Sequence, residues 1–221
     1  MQDIIGLDLD SVLCNTAFAI DKFIREEFDV IIDWENEVEE YWIEKLPGIN
    51  LEKANKIRES IYNGDIVSNV AAYNYAEHST KKLHNEGFTI AIITSRPSKL
   101  RGLTMDWLDE NNIVYDLLYF IDSLKKYELV QELEIKAFVE DRFDILESIL
   151  ENCGALDYGL YSVFQHWNKR YSNELIVPVR DVAEAVDRII DYRKWRGFFL
   201  TKCQGNIEKF IKEYQDGKGQ M

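Results

Sequence analysis

Residues 1–16 read MQDIIGLDLDSVLCNT, an apolar run that meets two carboxylates, Asp8 and Asp10, with one leucine between them. Ile4, Ile5 and Leu7 have the length and β-branched composition of a buried strand, so a strand is predicted over Ile4 to Leu9 with both aspartates at its carboxyl end. In open parallel α/β sheets that end faces the ligand crevice, and side chains two apart on a strand point the same way. Two like charges sharing one cleft repel each other unless a cation or a shared proton compensates. The stretch therefore asks for a metal or for proton chemistry.

The rest of the chain suits such a sheet. Its 221 residues are enough for one α/β domain with an insertion and a sizeable core. With 26 Lys+Arg against 40 Asp+Glu the formal charge is −14, and no basic stripe interrupts the acidic balance. A nucleic-acid polymer and an anionic membrane are disfavoured as partners, whereas a small phosphate ester on a bound divalent ion is not. Cys14, Cys153 and Cys203 are far apart, odd in number and without metal spacing, which fits a reducing compartment. No basic stretch leads into a long apolar segment, and no window approaches the ~20 apolar residues of a membrane span, so a cytoplasmic location is expected.

Strand-like runs alternate with helical ones, the pattern of a parallel α/β sheet. They are Ile4 to Leu9, Thr89 to Thr94, Ile135 to Val139 and Leu160 to Phe164, with a weaker one at Val114 to Phe120. Helices are predicted over Tyr75 to Glu86, ending at Gly87, and Phe143 to Asn152, ending near Gly154; a third begins at an Asp181/Glu184 capping box. Asn15 to Asn74 lacks strands and carries helical stripes instead: Ala17, Ile20, Ile24 and Phe28, then Val38 to Lys45, then Leu51 to Tyr62. The expected organisation is a core of residues 1–14 and 75–192, a helical cap of residues 15–74 and a helical tail of residues 193–221. Trp195, Phe198 and Phe199, followed by Ile207, Phe210, Ile211 and Tyr214 at helical spacing, would pack that tail on its own domain or make a homodimer contact.

Strand ends locate the chemistry. The second strand delivers Thr94 and Ser95 to the rim, and the next strong one delivers Glu140 and Asp141. Lys126 stands on the helix feeding that strand, where its cation can lean over the same crevice. Oxygen-only acidic ligands suit Mg²⁺, which keeps several waters and takes one or two carboxylates plus a substrate phosphate. A carboxylate can then attack phosphorus while a neighbouring carboxyl serves the leaving oxygen, with Thr94 and Lys126 holding the equatorial oxygens. Arg96 and Arg142 either contact phosphate or pair with nearby acids. Trp34, Tyr41, Trp42, Tyr73 and Tyr75 either fill the cap or line a base pocket.

Asp8-Leu9-Asp10-Ser11-Val12, Thr94, Lys126 and Glu140-Asp141, taken in order, resemble the four motifs of the haloacid-dehalogenase superfamily of phosphatases. Within it the chain is most similar to 5′(3′)-deoxyribonucleotidase-like nucleotidases, through the insertion after the first motif, the TSRP stretch and His166-Trp167-Asn168-Lys169-Arg170. The resemblance implies a three-layer Rossmann-like core and Mg²⁺ held by Asp8, the Asp10 backbone carbonyl and Asp141. It also implies that Asp8 is the nucleophile, Asp10 the general acid/base, Glu140 a support behind the ligands, and Thr94, Ser95 and Lys126 substrate-binding, with Lys125 as the alternative register. Ser11, Glu140 and Thr16 depart from residues commoner in the family.

These readings lead to a Mg²⁺-dependent phosphomonoesterase acting on a small phosphorylated metabolite, a nucleoside monophosphate in the first instance. The alternatives are a sugar phosphatase, a polynucleotide 3′-phosphatase, or a non-catalytic Mg²⁺ and anion-binding module.

Overall fold

The computed structural model describes residues 2–40 and 42–201. Six parallel strands form one sheet in the order β3-β2-β1-β4-β5-β6: β1 Ile4–Leu7, β2 Thr89–Thr94, β3 Leu117–Phe120, β4 Ala137–Glu140, β5 Gly159–Val163 and β6 Ile176–Val179. The seven helices among the described residues are α1 Thr16–Phe28, α2 Leu51–Asn63, α3 Ala76–Asn85, α4 Arg101–Glu110, α5 Lys126–Glu132, α6 Phe143–Cys153 and α7 Val182–Thr201.

Alternation along the strands sorts the core into two layers. Ile5, Leu7, Ile90, Ile92 and Val139 face the side where α3, α4 and α7 bring Leu83, Trp107, Val186 and Ile189. Ala91, Ile93, Phe138 and Leu160 face Val130, Ile145, Leu146 and Ile149 of α5 and α6. Helix, sheet and helix make three layers, as the alternation of elements predicts. Gly6 lies where a Cβ would come within 2.4 Å of the Phe138 ring, so only a glycine lets β1 and β4 pair this closely.

The chain steps outward from β1 through β2 to β3 and then returns to place β4 on the other side of β1. That reversal opens a crevice at the carboxyl ends of β1 and β4, and both strands end there in acidic residues.

Residues 15–74 hold α1, α2 and two single 3₁₀ turns, Ile43–Lys45 and Val67–Asn69. The way in and the way out lie side by side: Asn15 N–H donates to Ala71 at 2.9 Å and Tyr73 N–H to Leu13 at 3.0 Å. The segment has its own apolar cluster, built on Ile20, Ile24, Ile32, Leu46, Ala54 and Ile57.

Three expectations are corrected. The helix predicted over Val38 to Lys45 is only the 3₁₀ turn Ile43–Lys45, because Pro47 and Gly48 follow at once and leave no room for further turns. Strand β6 was not anticipated, since four residues with Pro178 among them carry a weak strand signal; its position at the sheet edge is where a strand proline is tolerated. The capping box is displaced. Asp181 accepts from Glu184 N–H at 2.9 Å, but Glu184 returns its carboxylate to the N–H of Arg180 at 3.0 Å. Helix α7 then runs unbroken to Thr201, through the boundary expected at residues 192 and 193. Cys203, Ile207, Phe210, Ile211, Tyr214 and the subunit contact expected on them lie outside the described residues, as does Tyr41. No described helix is long and apolar enough to cross a membrane.

Candidate active site

The backbone leaves β1 after Leu7, and Asp8 N–H still donates to Val139 of β4 at 2.9 Å, which sets Asp8 beside Glu140 and Asp141. Ser11 then takes φ 63° in the turn that follows. That is the left-handed region, which glycine enters at no steric cost and a serine enters only with some strain.

Lys126, the first residue of α5, is 1 % exposed and reaches both strand ends. Its Nζ donates to Asp8 and, at 2.7 Å, to Glu140. Lys125 is exposed, so the lysine in the crevice is Lys126. Glu140 also accepts from the backbone N–H groups of Asp141 and Arg142 at 3.2 Å each, the position of a support behind the cluster.

Oxygens of Asp8, Glu140 and Asp141 lie within 4.8 Å of one another, all three residues being buried. Three carboxylates against one ammonium leave an excess of buried negative charge. Burial and then the charge of Glu140, opposed by Lys126, push the Asp8 carboxyl up from 3.8 to about 7. The same two causes push Asp141 well above the ordinary carboxylate range. Against desolvation, the charges of Asp8 and Glu140 hold the Lys126 ammonium above its usual value. A buried, all-oxygen, anionic set of this kind fits a hard divalent cation such as Mg²⁺.

Asp10 has a different environment. Arg96, 5 % exposed, donates from Nε and Nη2 to its two oxygens, and Thr16 donates from Oγ1 at 2.6 Å. Although burial works the other way, Arg96 and Thr16 hold the Asp10 carboxyl below its ordinary value. Arg96 Nη1 is buried without a hydrogen-bond partner among the described residues.

One cavity collects Asp8, Asp10, Arg96, Lys126, Glu140 and Asp141 on its floor. Its opposite wall comes from residues 15–74 and is apolar: Ala17, Ile20, Trp34, Ile43, Leu46, Ile61 and Val67, with Thr16 at the edge. Ser95 lines the cavity and bonds to Ser123 at 2.9 Å. Thr94 is wholly buried, its Oγ1 accepting from Arg96 N–H at 3.2 Å, and it is absent from the described lining. Tyr73 and Tyr75 stack on each other at 5.2 Å and pack on the main core instead of the cavity. Trp42 lies over Arg142 at 5.1 Å in a smaller neighbouring depression. Arg142 and the nearby Asp144 form an ion pair.

Sequence reasoning assigned no role to Thr16, Ser123 or Trp167, all of which line the cavity. Ser123 and Trp167 follow the carboxyl ends of β3 and β5, and comparing those strand ends as well would have found them.

No family model matches the chain. A nucleotidase of Clostridium acetobutylicum is 25% identical over 200 residues, covering 85% of this chain and 95% of the relative. The provisionally named nucleotidase YqfW of Bacillus subtilis is 26% identical over 159 residues, 68% of this chain and 76% of that one. Among solved structures, a subfamily IA haloacid-dehalogenase-superfamily hydrolase of Geobacter sulfurreducens aligns with TM-score 0.54 at 13% identity, covering 85% of this chain and 96% of that one. The fold is that of the haloacid-dehalogenase-like hydrolases. CbbY of Rhodobacter sphaeroides, solved in complex with phosphate, has the same fold at TM-score 0.52 and 14% identity, covering 85% of this chain and all of the other. The expected fold is thus borne out by the solved structures, and the curated relatives carry nucleotidase names.

Proposed function

We propose that the protein is a Mg²⁺-dependent phosphomonoesterase whose substrate is a small phosphorylated metabolite, a nucleoside monophosphate in the first instance. The observation that carries the proposal is the buried cluster of Asp8, Lys126, Glu140 and Asp141 beneath an apolar wall. Its negative charge exceeds what Lys126 balances, and it opens onto the cavity where a monoester would lie.

Asp8 and Asp141 would hold Mg²⁺, with Glu140 fixing Lys126 behind them. The bound ion supplies charge neutralisation, letting a phosphate dianion approach these carboxylates. Asp8 attacks phosphorus, forming an aspartyl-phosphate as the ester oxygen departs. Lys126 Nζ follows the charge from the Asp8 carboxylate to the equatorial oxygens. Asp10, on the leaving-group side, gives a proton to the departing oxygen and later takes one from the attacking water. Arg96 Nη1 is a buried donor without an acceptor among the described residues, in a side chain that lines the cavity, and a substrate oxygen would satisfy it. The apolar wall excludes water and, through Trp34, offers an aromatic face to a base. The nucleotidase names of two curated relatives favour a nucleotide among possible monoesters.

The test is phosphate release from a panel of nucleoside 5′- and 3′-monophosphates and sugar phosphates. Activity should stop in EDTA, return with Mg²⁺ and return poorly with Ca²⁺, whose larger and looser shell spoils in-line geometry. Full activity in EDTA would overturn the mechanism, and consumption of sugar phosphates alone would overturn the substrate class.

A further inference from the structure

The segment Gln165 to Arg170 touches both the carboxylate cluster and the 15–74 segment. Trp167, 5 % exposed, is among the described residues the one outside 15–74 in that segment's buried apolar cluster, and its ring meets Trp34 edge-on at 6.3 Å. Its indole Nε1 donates to Asp141 Oδ2 at 3.1 Å. Asn168 fixes the same residue from the backbone side, its Nδ2 donating to the Asp141 carbonyl at 2.8 Å and to Val163 at 2.7 Å. The next two residues reach outward. Lys169 Nζ donates to the Glu35 carbonyl at 2.8 Å, and Arg170 pairs with Glu39 through two hydrogen bonds.

We infer that Trp167 is a positioning residue that couples the seating of the 15–74 segment to the orientation of Asp141, so that Mg²⁺ binding and closure of the cavity favour each other. The inference rests on the metal reading given above. Trp167 cannot leave the apolar cluster without withdrawing its N–H from Asp141, because one rigid indole makes both contacts. The Arg170–Glu39 pair and the Lys169–Glu35 contact hold the same segment from the far side. Coupling between two contacts of one rigid body is reciprocal, so a change at Glu39 must be felt at Asp141.

The experiment measures Mg²⁺ affinity of the whole protein by titration calorimetry, without substrate. In Trp167→Phe the apolar ring stays and the donor is lost; Mg²⁺ should bind about ten-fold more weakly, the usual scale for removing a hydrogen bond to a metal ligand. The second arm uses the exposed pair, which no reacting group touches. Glu39→Arg and Arg170→Glu should each weaken Mg²⁺ binding by about two- to five-fold, the range open to an exposed ion pair, and the double exchange should restore it. Simple long-range electrostatics predicts opposite signs for the two single variants, since one adds positive and the other negative charge. Opposite signs, or an unchanged affinity in Trp167→Phe, would overturn the coupling. Absence of Mg²⁺ binding in the unaltered protein would instead overturn the metal reading on which it rests.

Discussion

Arg96 grips both oxygens of Asp10, its Nε at 2.9 Å and its Nη2 at 2.8 Å. This arrangement favours the ionised carboxylate, the form that accepts a proton from water. Giving a proton to a leaving oxygen requires the other form, so the strength of this pair sets where on the pH scale Asp10 can serve as an acid.

Arg96→Met removes that grip and should raise the pKa of Asp10. An acid works while protonated, so the alkaline limb it governs should move to higher pH. The movement should be clear in kcat/KM for a nucleoside monophosphate, whose leaving alkoxide needs the proton. It should be smaller for p-nitrophenyl phosphate, whose leaving group does not. Superimposable profiles for the variant and the unaltered enzyme would show that Arg96 does not set the protonation of Asp10.

Asp8 is perturbed in the opposite direction, and its sign can be read in stability. The folded chain holds the Asp8 proton with a pKa of about 7, against 3.8 ordinarily, so between those values the folded state binds more protons than the unfolded one. Stability of the metal-free protein should therefore fall as pH rises from about 4 to about 7. The raised Asp141 acts in the same direction. Asp8→Asn removes one of these two raised carboxyls. Calorimetric melts in EDTA should show a flatter dependence over that window, in a variant that stays folded and releases no phosphate. An unchanged slope, or turnover above a few per cent, would remove Asp8 from its assigned place.

Much of this site could be read from the chain because strand ends are local. Asp8 and Asp10 follow an apolar run, Glu140 and Asp141 follow another, and a parallel sheet brings such ends to one rim. What escaped depends on distant contacts or on weak local signals. The partner of Asp10 is Arg96, 86 positions away, and nothing in the TSRP stretch says which acid its guanidinium will find. Trp167 stands in the sequence only as one residue of the His166-Trp167-Asn168-Lys169-Arg170 stretch, and its N–H to Asp141 exists only once β4 and β5 are paired. Tyr73 is the converse. Its aromatic character suggested a base platform, but stacking on Tyr75 against the main core makes it a packing residue.

Lys126 is the only cation bonded to both Asp8 and Glu140 among the described residues. Replacing it with methionine keeps the stem and removes the charge, leaving buried carboxylates without compensation. Loss of one partner of a buried ion pair costs about 3–5 kcal/mol, and Lys126→Met should lower stability by that order. Saturating Mg²⁺ should recover part of the loss, because the cation takes over some of the missing charge. Denaturant titrations with and without Mg²⁺ measure both quantities. A variant as stable as the parent in EDTA would mean that the carboxylates relieve their repulsion by protonation alone.

Substrate size follows from the wall opposite the carboxylates. Apart from Thr16 at its edge, the part of the cavity lining contributed by the described residues of 15–74 is apolar, with Trp34 the single ring among them. Trp34 is fixed by a 2.9 Å hydrogen bond from Nε1 to Asp21 and by the edge of Trp167, so its face is held in place before a ligand arrives. An apolar wall recognises a flat ring by stacking and tolerates several bases. A polymer would have to bring many phosphates to a chain of net charge −14. Nucleoside monophosphates should therefore outcompete a 3′-phosphorylated oligonucleotide in one reaction. Trp34→Ala should cost about 1–3 kcal/mol in kcat/KM for nucleoside monophosphates, whereas Tyr73→Ala should leave kcat/KM unchanged. Earlier consumption of the oligonucleotide would mean that the wall does not roof the site and would favour a polynucleotide 3′-phosphatase. A loss that follows Tyr73 instead of Trp34 would move the base to the place where the chain enters and leaves residues 15–74 side by side.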